Sequence, residues 1–374
     1  MKKQAANSSS PLSLRDLNRA TLARQLLLVR QKKSVSDGLT RVAGLQAQLA
    51  SPPYVGLWSR LQDFQREQLA EAFERHTVVR APLMRGTLHA VTADDYAQFR
   101  AVLEPALYRA IEGMPDDRRK GIDAPALAAE ARPFLEAEPR TQDDVRTFLA
   151  ARHPKLDVRM MGHVVRLHLP LVQVPERGAG AWGFPSLPRF ALADTWIGRP
   201  IASSTNPRPL MRRYLAAFGP ATARDFQTWS SLPAMRDEFE RLRPELRVLT
   251  DENGRELFDL PDAPLPGGDA PAPARFLPEF DNLLLAHTDR TRVIADANRG
   301  RVFLPGLRVA ATLLVDGFVA GTWTIERARK AAALVVTSFA ALPKKTRDAV
   351  AIEGEQLVRF IEPDAHTFAV RFAR

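Results

Sequence analysis

The chain of 374 residues has no cysteine. That absence removes disulfides, zinc–thiolate centres, iron–sulfur clusters and thiol nucleophiles together, and it suits a reducing compartment. No stretch approaches ~18 apolar residues without a charge, so no transmembrane helix and no membrane partner are expected. Behind Lys2 and Lys3 there is no apolar segment, so a secretory signal is not expected. Histidines are few: His76, His89, His153, His163, His168, His287 and His366. His163 and His168 have no carboxylate at ligand spacing and H-E-x-x-H is missing, so a metal site is not expected. The chain also lacks G-x-x-x-x-G-K-[ST], a strand-following G-x-G-x-x-G, and G-x-S-x-G. No nucleotide cofactor and no serine nucleophile elbow are indicated. Lysine is scarce, nine of 53 basic residues, which leaves 44 arginines.

Against 43 acidic residues those arginines give a net charge of +10. Such a balance favours an anionic partner. Arginine reads phosphates and base edges bidentately, although arginine-rich coding produces the same composition. With 45% hydrophobic and 26% charged residues, a folded chain of two to three domains is expected.

Four segments read S/T-x-x-D before an apolar-periodic run: Ser13–Asp16, Thr92–Asp95, Thr141–Asp144 and Thr222–Asp225. The hydroxyl accepts from an orphan N–H and the aspartate suits the positive helix start. Helical spacing predicts helices over 14–29, 34–49, 63–75, 92–112, 124–137, 141–152 and from 160 toward 173. A further trio is expected at 209–218, 222–231 and 233–241. Extended, turn-containing segments interrupt them at 78–91 and 182–190. Asn253-Gly254 sits between the β-like runs 246–249 and 256–260, a strong hairpin signal. The order, helices then hairpin, thus recurs three times without a sequence repeat. Five prolines in Pro261–Pro273 mark a linker. Beyond it a hairpin at 313–323 around Asp316-Gly317, a strand at 332–339 and a helix at 346–361 are expected. The expected class is α+β: three tandem winged-helix domains at 1–91, 92–205 and 206–265, then a β-rich domain at 266–374. Repeated helix–hairpin units with excess arginine suggest nucleic-acid binding. The helices from Thr141 and Thr222 are the recognition candidates, with Arg146, Arg152, Arg224 and Arg236 able to face phosphates; solvated helix faces are the plain alternative.

The most unusual local feature is Gly44-Leu45-Gln46-Ala47-Gln48-Leu49-Ala50-Ser51-Pro52-Pro53-Tyr54. Amides in an apolar setting must find partners, and helix-end capping would also account for them. This segment resembles the Gln-x-Gln/Gln-x-Asp motif of the AlkZ/YcaQ-like DNA glycosylases, winged-helix enzymes that unhook interstrand crosslinks. Arg85-Gly86-Thr87-Leu88-His89 resembles the family's R-x-T-L-H segment. Residues 278–290 and 314–323 resemble its C-terminal segments.

The resemblance implies a concave DNA-binding channel and a monofunctional hydrolase of N7-alkylated purines, with Gln46 and Gln48 orienting water. An N7-alkylated purine is already a cationic leaving group, so two neutral amides suffice where no strong acid is needed. Arg85, His89, His287, Arg290 and Arg292 are the expected DNA-binding residues. The expected partner is double-stranded DNA carrying alkylated or crosslinked purines, engaged by a monomer in the cytoplasm at the nucleoid. A non-catalytic winged-helix DNA-binding regulator is the alternative. One difficulty accompanies a helical motif: residues i and i+2 lie about 200° apart and share no face.

Overall fold

A computed structural model describes residues 10–178 and 180–373. The chain opens with α1 (Leu14–Arg24). The first unit follows: α2 (Val35–Arg41), β1 (Leu45–Gln46), α3 (Pro52–Trp58), α4 (Arg66–Glu74), β2 (Val78–Pro82) and β3 (Leu88–Thr92). Short helices α5 (Ala93–Phe99), α6 (Glu104–Glu112) and α7 (Asp116–Arg119) lead to the second unit: α8 (Ala124–Ala137), β4 (Arg140–Thr141), α9 (Gln142–Ala150), α10 (Val158–His168) and β5 (Leu171–Gln173). Past α11 (Gly180–Gly183), β6 (Arg189–Leu192) completes it. Then α12 (Ala193–Ile197) leads to α13 (Arg208–Phe218), α14 (Ala223–Ser230), α15 (Arg236–Leu242), β7 (Arg247–Thr250) and β8 (Glu256–Asp259). The last part holds β9 (Arg275–Leu277), α16 (Arg299–Val302), β10 (Phe303–Leu304), β11 (Arg308–Val309), β12 (Thr312–Val315), β13 (Phe318–Ala328), β14 (Ala331–Ser338), α17 (Lys344–Ile361) and β15 (Thr367–Phe372).

The same succession, helix–strand–helix–helix–strand–strand, occurs three times. In the third copy the first strand is reduced to Ala221, which exchanges both backbone hydrogen bonds with Phe258. The first two copies share one six-stranded sheet in the order β1-β3-β2-β5-β6-β4. They meet edge to edge where Arg80 pairs with Gln173. Joining the hairpins this way leaves neither with a free inner edge.

The caps form as their spacing predicts. Ser13, Thr141 and Thr222 each make reciprocal capping boxes with the aspartate three residues on. Thr92 accepts from Asp95 N, but the Asp95 carboxylate turns to Arg213 at 2.8 Å. Four expected helices are shorter than their periodicity: 92–112 divides into α5 and α6, the one from 160 toward 173 ends at His168 with 171–173 in strand β5, and two lie in the first 50 residues. The first ends at Arg24, before Leu26 turns left-handed at φ 58°. The stretch 34–49 is corrected more deeply: helix α2 stops at Arg41, Ala43 and Gly44 take φ 58° and 79°, and the chain turns into strand β1. Gly44 is required there, because a Cβ would lie 2.5 Å from Val91 Cγ1.

Cores follow the units. Leu39, Val42, Tyr54, Leu69 and Phe73 fill the first; Leu127, Val145, Leu149, Met161 and Val165 the second. Tyr214, Phe218, Phe226, Trp229 and Phe239 form an aromatic centre for the third, continuous with Met84 of the first hairpin. The C-terminal sheet, ordered β15-β14-β13-β12-β9, packs under α17 through Phe276, Leu334, Val350 and Leu357. Helix α1 is buried between the third unit and this C-terminal part. Asn18 donates to the carbonyls of Arg292 and Gly317, Arg19 pairs with Asp316, and Arg24 makes a bidentate pair with Asp259. The proline-rich linker is not loose: Arg15, Arg19 and Arg24 donate to the carbonyls of Gly268, Ala270 and Pro264, and Gly268 N donates to Asp16.

Candidate active site

Strand β1 is short, yet it decides the geometry of the glutamine motif. Leu45 pairs with Ala90 and Gln46 with His89 across β3, and Ala47 N donates to the Leu88 carbonyl at 2.7 Å. The motif is therefore extended up to Ala47 and not helical, with Gln48 in the bend that follows, so the angular separation of a helix does not apply to its two side chains. Their environments differ. Gln46 is 6% exposed, while Gln48 is exposed to solvent. The Gln48 amide oxygen lies 3.5 Å from Leu88 N, and its backbone is fixed from below: Arg80 donates to the carbonyls of Ala47 and Gln48 at 2.9 and 3.2 Å. Arg80 itself is buried on β2, 4.8 Å over the Phe184 ring, and burial pushes its pKa down to about 10.

Gln46 meets Arg85. The tight connection between β2 and β3 puts Arg85 in the left-handed region at φ 59°, beside Gly86 at φ 68°, a strained position for an arginine. Its half-buried guanidinium donates to Gln46 Oε1 at 2.8 Å, to Asn282 Oδ1 at 3.2 Å and to the Trp229 carbonyl at 2.8 Å. His89 Nε2 lies 3.4 Å from Nη2, the nitrogen that faces Gln46 and Asn282. All four neighbours are neutral, and no carboxylate faces Arg85 among the described residues. Burial, with Arg290 nearby, lowers its pKa to about 10, so it stays charged at neutral pH. His89 is fully buried and held down to about 3, first by burial and then by Arg85. A neutral ring with Nδ1–H donating to the Thr87 carbonyl at 2.9 Å leaves Nε2 as the acceptor facing Arg85.

The structure thus brings together Gln46, Arg85 and His89, with Gln48 on the solvent side. Arg290 is half-buried, lies 4.3 Å over the Phe303 ring and has a buried Nε without a partner. The expectation that His287 and Arg292 face DNA is corrected. Both are buried, at 1% and 4% exposure. His287 Nε2 meets the Phe218 carbonyl at 3.0 Å, and Arg292 donates to the Pro220 carbonyl at 3.0 Å. They hold the third unit against the segment that carries them. Of the helix arginines, Arg146 pairs with Asp143, and Arg152 pairs with Glu130 while lying over Phe148.

Asn282 escaped the sequence reading, though it lies within the 278–290 segment. It is fully buried and bridges the site, its Nδ2 donating to the Gly44 carbonyl at 3.0 Å. Its neighbour Asp281 makes a fully buried bidentate pair with Arg60 of the α3 end, which fixes the segment against the first unit. Arg80 was also missed. Only its position opposite the motif in the sheet reveals it, and pairing across 32 residues leaves no local signal.

A groove of about 800 Å³ opens beside the motif, walled on one side by Ser51 and Pro52. Val55 and Trp323 contribute apolar surface, and charge of both signs lines it, Arg301 and Arg308 with Glu279, Glu362 and Asp364. Among the described residues no cluster of His, Asp or Glu is built to hold a metal, and no helix is long and apolar enough to cross a membrane.

The family model for "DNA glycosylase AlkZ-like" proteins matches residues 39–360. An "Interstrand DNA cross-link repair glycosylase" of Streptomyces sahachiroi is 27% identical over 341 residues, spanning 85% of this chain and 88% of the relative. The solved structure of Streptomyces sahachiroi DNA glycosylase AlkZ shares the fold, with a TM-score of 0.78 at 24% identity over 97% of this chain and 100% of that one. With the family match running from the start of the motif region nearly to the end of α17, the chain belongs to the AlkZ-like DNA glycosylase family.

Proposed function

We propose that this DNA glycosylase hydrolyses the N-glycosidic bond of N7-alkylated purines in double-stranded DNA, crosslinked ones included, and acts as a monomer at the nucleoid. The three repeated units are read as winged helices arranged around a channel, with divisions near 91, 205 and 265. The observation that carries the reading is the extended glutamine motif: one amide anchored on a cation, the other open to solvent.

The chemistry asks little of the protein. Alkylation at N7 gives the base a positive charge, so the C1′–N9 bond breaks with both electrons leaving on the base, which becomes neutral. The deoxyribose is left as an oxocarbenium ion. A water oxygen bonds to C1′ and gives up its proton to solvent. Gln48 contributes an amide oxygen that accepts a hydrogen bond from that water and directs its lone pair at C1′. The motif region holds no lysine, which fits hydrolysis without a Schiff base. Arg290 supplies positive charge for phosphates flanking the lesion, and the groove beside Ser51 leaves room for a bulky substituent or tether. The relative named as a crosslink repair glycosylase supports that choice of lesion.

The test is incubation with duplex containing 7-methylguanine or a crosslink, followed by alkaline cleavage at abasic sites. Wild-type protein is expected to release base. Gln46→Ala and Gln48→Ala are expected to lose at least tenfold in single-turnover rate, the usual scale for an oriented catalytic group, while keeping most DNA affinity. Undiminished activity in the double variant would refute the assignment, and an inert wild type that still binds DNA would favour a regulator.

A further inference from the structure

The four neighbours of Arg85 have a consequence for Gln46. A guanidinium can only donate, so the Gln46 atom 2.8 Å from it is the amide oxygen. This fixes the orientation of the carboxamide, which the shape of the group alone leaves ambiguous. The Gln46 NH2 end then has no acceptor among the described protein groups. A half-buried guanidinium in a left-handed turn, facing only neutral acceptors, is an expensive way to hold one amide. Arg24 and Arg60 are met by Asp259 and Asp281, whereas Arg80 and Arg292, like Arg85, are held by neutral acceptors.

We infer that Arg85, braced by Asn282 and the Trp229 carbonyl, is a positioning residue that locks the Gln46 oxygen inward, making Gln46 a hydrogen-bond donor at the reacting centre while Gln48 acts as the acceptor. The inference rests on the glycosylase reading above and divides its labour. The water oxygen receives a hydrogen bond from Gln46 Nε2 and gives one to Gln48 Oε1, which leaves one lone pair for C1′. Arg85 polarises the Gln46 carbonyl and so strengthens the N–H donors at the other end of the amide. Asn282 accepts from Arg85 and donates to the Gly44 carbonyl, tying the brace to the backbone that precedes the motif.

The decisive variants are Gln46→Glu, Gln48→Glu, Arg85→Gln and Arg85→Lys. Gln46→Glu gains an ion pair with Arg85 and loses the donor. It is expected to fold, to bind duplex, and to excise 7-methylguanine at least tenfold more slowly than Gln48→Glu in single turnover. Arg85→Gln is expected to lower that rate about 10- to 100-fold with duplex Kd changed less than about threefold, the split of a group acting on the transition state rather than on binding. Arg85→Lys keeps a cationic donor and should recover part of the loss. A second readout needs no catalysis: in protein carrying 15N-labelled glutamine side chains, the Gln46 amide signal, assigned by its loss in Gln46→Ala, should shift in Arg85→Gln. Gln46→Glu matching Gln48→Glu, or an unmoved Gln46 signal in Arg85→Gln, would overturn the inference. A shifted signal in a protein that releases no base would instead overturn the glycosylase reading and leave the Arg85–Gln46 lock standing.

Discussion

Gln46, Arg85 and His89 present a cation among neutral acceptors, and that sets how the site responds to pH. His89 is held near 3 and Arg85 near 10, both chiefly by burial. Neither changes charge between pH 6 and 9. Base release from 7-methylguanine duplex is therefore expected to show a flat single-turnover profile across that window. An inflection near 6.5, the ordinary value for histidine, would mean that His89 titrates during catalysis and that its burial has been misread. The glutamines and the R-x-T-L-H segment were legible in the sequence because each is local. Asn282 was not, because its contact with Arg85 spans 197 residues. His287 and Arg292 were misjudged for a related reason: a polar side chain in a matching segment gives no sign whether it turns outward or, as here, satisfies backbone carbonyls inside the third unit.

At the level of elements, the turn between α2 and β1 does most to place the motif. Apolar residues Leu39, Val42, Ala43 and Leu45 keep helical spacing, so periodicity alone carried the helix through to Leu49. The local breaker is the left-handed pair Ala43 and Gly44, after which pairing with β3 takes over. Gly44→Ala places a methyl 2.5 Å from Val91 Cγ1 and 3.2 Å from the Ala90 carbonyl, at φ 79°. A loss of about 1–3 kcal/mol in folding stability is expected, together with slower base release as Gln46 shifts. Gly254→Ala shares the positive φ but meets nothing within 4 Å, so its loss should be about 1 kcal/mol with the rate kept. Urea midpoints and single-turnover rates of the two variants make the comparison. Equal effects would show that strain in the backbone, and not the contact with β3, fixes the motif. Capped helices and Asx-Gly hairpins were read correctly because their chemistry is contained in four residues. The edge strand β15 and the docking of the proline-rich linker on α1 went unseen because both depend on distant partners.

For the molecule as a whole, buried histidines make acid the weak side. His89 and His287 are both held near 3, against about 6.5 when unfolded. The unfolded chain therefore takes up protons first as pH drops below about 6.5, and stability falls from there toward 3. Asp95, pushed up to about 6 by burial, opposes this, because its folded state gains a proton first as pH falls through 6. His163, half-buried and lowered to about 4 chiefly by burial, adds to the loss, and three histidines outweigh one aspartate. At about 1.4 kcal/mol per proton per pH unit, a net loss of about 4 kcal/mol between pH 7 and pH 5 is expected. Urea unfolding at the two pH values measures it, and equal stability at both would contradict the burial of the two rings. The recurring helix–hairpin order and the β-rich end were legible from the sequence. The joining of two hairpins into one sheet was not, since β2 and β5 meet through the single pair Arg80–Gln173.

The burial of α1 bears on how the protein is made. Asn18, Arg19 and Arg24 leave the ribosome early, yet their partners lie at Asp259, Arg292, Asp316 and Gly317. Arg24 gains its carboxylate only once Asp259 has been made, and Asn18 and Arg19 have their full set of partners only after residue 317. Helix α1 is thus among the last elements to settle, and a nascent chain stalled at the proline-rich stretch carries it without its C-terminal partners.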